Sequence, residues 1–147
     1  MLRGFTLLLL PFLLPIMTET DQARQNDETE IREVIQHYLL GHATGDGAHH
    51  EVAFNPESKL MWSRDGALNT RSSAEYIAGS PGSPAEDEDQ RERRIESVDV
   101  TGDAAVVKVV LDYPGAVITD YMSMLKIDGR WWIANKIFTV QPKDDAS

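Results

Sequence analysis

The 147-residue chain has no cysteine, which excludes disulfides, thiolate metal sites and a cysteine nucleophile. Positive charge is scarce: 14 Lys and Arg stand against 24 Asp and Glu, a formal charge of −10. Phosphate backbones need clustered cations, and the only dense basic patch, Arg91, Arg93 and Arg94, follows an acidic run, so no nucleic-acid partner is expected. A recognisable metal-ligand spacing is also missing. Adjacent histidines on a helix point in different directions, so His49-His50-Glu51 reads as surface, with neither metal nor cofactor expected. The four acids Glu86 to Asp89 lack calcium-loop spacing and read as a solvated loop pairing with the arginines that follow. There is no internal repeat and no sign of a second domain.

What is present fits one globular domain: apolar content is 41% and charged content 26%. Met1-Leu2-Arg3-Gly4 and the apolar run Phe5 to Met17 have the composition of a secretory signal peptide. The run carries two prolines and is too short to span a bilayer comfortably. Residues 1–23 are therefore expected to be removed, leaving a periplasmic or secreted protein with no membrane attachment. Ala23 is the nearest small residue to a cleavage point, although Asp21 sits two residues before it.

Residues 24–28 read as a linker, 29–142 as the domain and 143–147 as a disordered tail. Ile31, Val34, Ile35, Tyr38 and Leu39 fall at helical spacing, which predicts a helix from Thr29 to about Ala43, capped by Asp27 or Thr29 and stopped at Gly45-Asp46-Gly47. A short helix follows over Ala48 to Phe54. Lys59 to Arg64 and Ala67 to Thr70 form a hairpin on Asp65-Gly66. Ser72 or Ser73 caps a helix through Tyr76 that ends at Gly79. After a loop over Ser80 to Asp89 come strands over Arg91–Thr101 and Ala104–Tyr113. The closing hairpin then runs from Val117 to Val140 on Asp128-Gly129.

The closing hairpin governs the reading of the site. A type I turn with Gly129 left-handed pairs Lys126 with Arg130 and puts Tyr121, Ser123, Leu125, Trp131, Ile133, Asn135 and Ile137 on one face. A two-residue turn shifts the pairing by one. The first alternative is preferred. Asn135 is then a buried amide satisfied either by a ligand or by Tyr38 or Tyr121. The opposite face, with Asp120, Met122, Met124, Trp132, Ala134, Lys136 and Phe138, becomes a contact surface for a two-fold homodimer.

The order of elements resembles the nuclear transport factor 2-like cone fold. Tyr38-Leu39-Leu40-Gly41-His42, Ala53-Phe54-x-Pro56, Ser73-Ala74-Glu75-Tyr76-Ile77, Asp120-Tyr121 and Lys126-Ile127-Asp128-Gly129-x-Trp131 resemble its putative lumazine-binding branch. The resemblance spans about Glu28 to Pro142. It implies an α+β fold with a strongly curved antiparallel sheet on about three N-terminal helices, and a lumazine-type ligand. Relatives often carry a histidine where this chain has Asn55. The superfamily also includes steroid isomerases. Their helix tyrosine matches Tyr38, but the base position falls on Trp62 and the second acid position on Ser123. No catalytic residue is therefore assigned. The expected function is binding of a small, partly aromatic molecule by Tyr38, Trp62, Tyr121, Ser123, Trp131 and Asn135. The alternatives are an acid–base isomerase, cyclase or dehydratase using the same pocket, and a structural dimerisation module whose cavity is filled.

Overall fold

The computed structural model describes residues 17–144. The signal-peptide reading falls largely on residues 1–16, outside the described residues, as does the end of the tail, 145–147.

Helix α1 (Glu19–Thr44) starts ten residues before the expected start at Thr29. Thr18 caps it through a capping box: its hydroxyl accepts from the Asp21 amide, and the Asp21 carboxylate returns a bond to Thr18. The expected linker 24–28 is thus helical, because the cap lies upstream of Asp27 and Thr29. Gly45, left-handed at φ 72°, ends the helix. Helix α2 (Gly47–Ala53) is capped by Asp46. Strands β1 (Phe54–Arg64) and β2 (Ala67–Ser72) follow. Ser72 and Glu75 form a second capping box at α3 (Ser73–Ala78). The acidic loop contains a single 3-10 turn, and its acids are used as ion pairs: Asp87 to Arg91 at 2.7 Å and Glu88 to Arg93 at 2.6 Å.

Strands β3 (Glu92–Thr101), β4 (Ala104–Tyr113), β5 (Ala116–Ile127) and β6 (Arg130–Pro142) complete one sheet in the order β2-β1-β6-β5-β4-β3. It is curved and unclosed, with the three helices packed on it. Every hairpin pair is antiparallel, but β1 and β6 are parallel. No turn joins those two strands, so nothing forces opposite directions on them.

The closing hairpin departs from the preferred alternative. Asp128 and Gly129 are both left-handed, at φ 50° and 76°, so the turn has two residues and pairs Ile127 with Arg130. The extra residue sits in β6 instead. Ser123 pairs with Asn135 and Met124 with Ile133, so Ala134 is a bulge. Near the turn, Met124, Trp131 and Ile133 face inward. Beyond the bulge, the inward residue opposite Met122 is Lys136 and the one opposite Asp120 is Phe138. Without the bulge, Asn135 would take that place. One inserted residue thus exchanges an amide for an amine inside the fold.

The core lies between α1 and this inner face. Ile31, Ile35, Tyr38 and Leu39 meet Val107, Val109 and Leu111 of β4, Met122 and Met124 of β5, and Trp131 and Ile133 of β6. Asp27 lies on the same side of α1, where it accepts from Trp131 Nε1 at 3.0 Å and from Lys126 Nζ at 2.7 Å.

Candidate functional site

Three polar side chains meet inside the sheet. The Tyr38 hydroxyl donates to Asp120 Oδ2 at 2.6 Å, and Lys136 Nζ donates to that hydroxyl at 2.8 Å. Lys136 Nζ also lies 3.1 Å from Asp120 Oδ1. Tyr38 and Asp120 are fully buried and Lys136 is 4% exposed. A buried carboxylate is tolerated only when paired, so the cluster is held by necessity as well as by packing. Burial pushes the Lys136 ammonium below its usual range, with Asp120 opposing the shift. Burial and the Asp120 charge together push the Tyr38 phenol well above its own range. Tyr38 therefore remains a proton donor at any ordinary pH.

A cavity of about 290 Å³ opens onto Lys136. Its walls are aromatic and aliphatic: Trp62 lies against Phe138 with ring centroids 5.3 Å apart, and Tyr76, Leu60 and Leu111 complete them. Lys136 Nζ lies 4.8 Å from the Phe138 ring centre, 5.0 Å from Tyr38 and 5.4 Å from Tyr76. One of its three N–H groups is donated to Tyr38; Asp120 Oδ1, 3.1 Å away, is its ion-pair partner but accepts no hydrogen bond. Among the described residues no other acceptor takes a Lys136 N–H, and the cavity is where one has room. Arg64 and Arg71 stand at the rim.

A second chamber of about 410 Å³ shares His42, Tyr76 and Arg71 with the first and is roofed by the Pro81–Glu86 loop. The Gly82 amide donates to Gly45 O at 2.9 Å, and a Cβ on Gly45 would overlap the Ser83 backbone, so the loop is seated on the α1 C-cap. His42 Nε2 and the Tyr76 hydroxyl are 2.9 Å apart. His50 is 4% exposed, against the surface position expected from sequence, because Gly41 leaves room for its ring; a Cβ there would overlap it. Neither His50 ring nitrogen has a hydrogen-bond partner. Burial, against a weaker pull from the Tyr38 backbone, lowers its pKa to about 4. Burial and the nearby Lys136 charge push His42 well below the usual range. Both rings are neutral at pH 7. No His/Cys/Asp/Glu group among the described residues is arranged to hold a metal ion.

The residues named from sequence divide. Tyr38 lies directly behind Lys136, and Trp62 lines the cavity. Trp131 is buried but serves the α1 contact through Asp27. Asn135 accepts from the Lys59 amide at 3.0 Å and thereby joins β6 to β1; it bonds to neither Tyr38 nor Tyr121. Tyr121 (42% exposed), Ser123 and Leu125 are on the outer face because the turn has two residues, and Ile137 is there because the bulge at Ala134 shifts the parity of β6 beyond it. Asp120 and Lys136, expected on the outer contact surface, are the two buried charges of the site. Two polar residues at inward positions of an apolar strand pair were the available signal. Asp-Gly's preference for two-residue turns pointed the same way.

Comparison with known proteins adds the family. The family described as putative lumazine-binding matches residues 26–139. A nuclear transport factor 2-like protein of unknown function from Shewanella baltica superposes with a TM-score of 0.72 at 21% identity, covering 87% of this chain and 100% of that one. One from Silicibacter pomeroyi gives 0.66 at 22%, covering 80% and 98%. One from Methylobacillus flagellatus gives 0.66 at 25%, covering 79% and 93%. No curated protein matches the sequence.

Proposed function

This chain belongs to the putative lumazine-binding family, and from that premise we propose that it binds a flat, carbonyl-bearing heteroaromatic molecule of lumazine type in the cavity above Lys136. The observation that carries the proposal is the pairing of an aromatic slot with a lysine donor not used up inside the fold. Trp62, Phe138 and Tyr76 offer ring faces, and Lys136, whose one hydrogen bond goes to Tyr38, offers a further N–H at the slot's end. Tyr38 and Asp120 hold the amine in place. Trp62 reports on occupancy. Titration with lumazine quenches tryptophan emission, and Trp62→Ala weakens binding about five- to twelvefold, the cost of one lost stacking partner at about 1–1.5 kcal/mol. Binding that is unchanged by Trp62→Ala overturns the proposal.

One observation favours a second reading, acid–base catalysis. Lys136, an amine held by Tyr38 and Asp120 and opening onto the cavity, can stabilise charge developing on a ligand carbonyl oxygen. Under that reading lumazine-type ligands are turned over, and Tyr38→Phe, which loosens the amine, slows turnover more than it weakens binding. Under the first reading no product accumulates.

Two further features belong to the same proposal. Export rests on the composition of the first 17 residues, and mass spectrometry of the mature protein tests it. A homodimer through the outer sheet face rests on the exposed Val106, Tyr121, Leu125 and Ile137, which lie on one side of the sheet.

A further inference from the structure

Arginine in this chain is committed almost everywhere. Arg24, Arg32, Arg91, Arg93 and Arg94 each form an ion pair. Arg130 donates to Val52 O and lies 3.8 Å from the Trp132 ring centre. Among the described residues, Arg64 and Arg71 alone make neither an ion pair nor a hydrogen bond nor a ring contact, and both line the rim of the Lys136 cavity. They arrive there by register. Arg71 pairs with Leu60 and shares its inward parity, and Arg64 follows Trp62 on that parity at the β1–β2 turn. The cavity wall carries no carboxylate, and Asp120 lies behind Lys136 and is engaged by it. Glu86 belongs to the neighbouring chamber, which it shares with Arg71 and Arg91. A chain with ten more acids than bases thus keeps, among its described residues, two unspent guanidiniums at one opening.

We infer that the cavity selects an anionic ligand: a flat aromatic molecule bearing a carboxylate or another acidic group at its outer end, clamped by Arg64 and Arg71 while its ring fills the slot. The inference rests on the cavity being the binding site. It adds charge and orientation to that reading. Guanidinium binds carboxylate through a planar fork, and two forks at one rim fix which end of the ligand enters first. The net charge of −10 repels anions at long range, so the rim arginines supply a local attraction on approach. Because both arginines are exposed, the charge preference falls as ionic strength rises, whereas ring stacking does not.

Two probes of equal shape separate the effects: 2-naphthoate, which is anionic, and 2-naphthamide, which is neutral. Each is titrated against the full chain by tryptophan quenching in low salt. The expected result is naphthoate binding about tenfold tighter than naphthamide, the worth of one charge-assisted bond beyond a neutral one. In Arg64→Gln/Arg71→Gln that preference falls to less than about twofold while naphthamide affinity is unchanged. Arg24→Gln, which removes only a surface pair with Asp21, leaves both affinities as they were. Equal affinities in the wild type, or a preference that survives the double substitution, overturn the anion selection and leave the cavity reading standing. Failure of both probes to bind overturns the cavity reading and this inference with it.

Discussion

Replacing Lys136 with Met tests the buried cluster most severely. The substitution roughly conserves volume and removes the cation paired with Asp120. Asp120 is fully buried, so its carboxylate keeps a single donor, Tyr38, at 2.6 Å. Breaking a buried pair from one side costs about 3–5 kcal/mol, because an uncompensated charge stays behind. Against a total of roughly 5–15 kcal/mol for a domain, that leaves a marginal fold. Removing both charges costs far less. Asp120→Asn/Lys136→Met leaves neutral groups, and the double-mutant cycle is expected to return a coupling of about 2–3 kcal/mol. Urea unfolding measures both the single costs and the cycle. A cost below about 1 kcal/mol, or an additive cycle, refutes the geometry.

Other consequences follow from neighbouring residues. His50, with its pKa lowered from 6.5 to about 4, binds fewer protons folded than unfolded between those values. Stability is then present above pH 6.5 and lost as pH falls toward 4, by up to about 3 kcal/mol; His50→Gln flattens that part of the unfolding profile. Gly41→Ala forces the His50 ring to move and costs about 1–3 kcal/mol by thermal or urea unfolding, whereas Gly79→Ala, with only ordinary contacts, costs less than 1 kcal/mol. Ile137→Asp on the exposed outer face shifts sedimentation from dimer to monomer without changing lumazine affinity; a dimer unaffected by it excludes that face.

Much of the fold was legible from local chemistry. Apolar spacing from Ile31 to Leu39, the Asp-Gly steps at 65–66 and 128–129, and the serine cap at Ser72 or Ser73 each named the element that formed. What escaped was set by single residues. The start of α1 depended on Thr18 and Asp21, outside the apolar stripe that marked the helix. The parallel contact of β1 with β6 has no local mark, since no turn joins them. The site turned on two opposing details, a two-residue turn and a bulge at Ala134. The first sent Tyr121 and Ser123 outward, and the second exchanged Asn135 for Lys136. A bulge leaves no reliable local trace, so Tyr38 and Trp62 could be named from sequence while Asp120 and Lys136 were assigned to the wrong face.

Lumazine titrated into ring-labelled protein, followed by NMR, addresses the central claim most directly. The account predicts that shift changes concentrate on Trp62, Tyr76 and Phe138 and on the Lys136 side chain, while Trp131, Tyr121 and Trp132 stay unperturbed. Changes centred on Tyr121 and Ile137, or none at saturating ligand, contradict it.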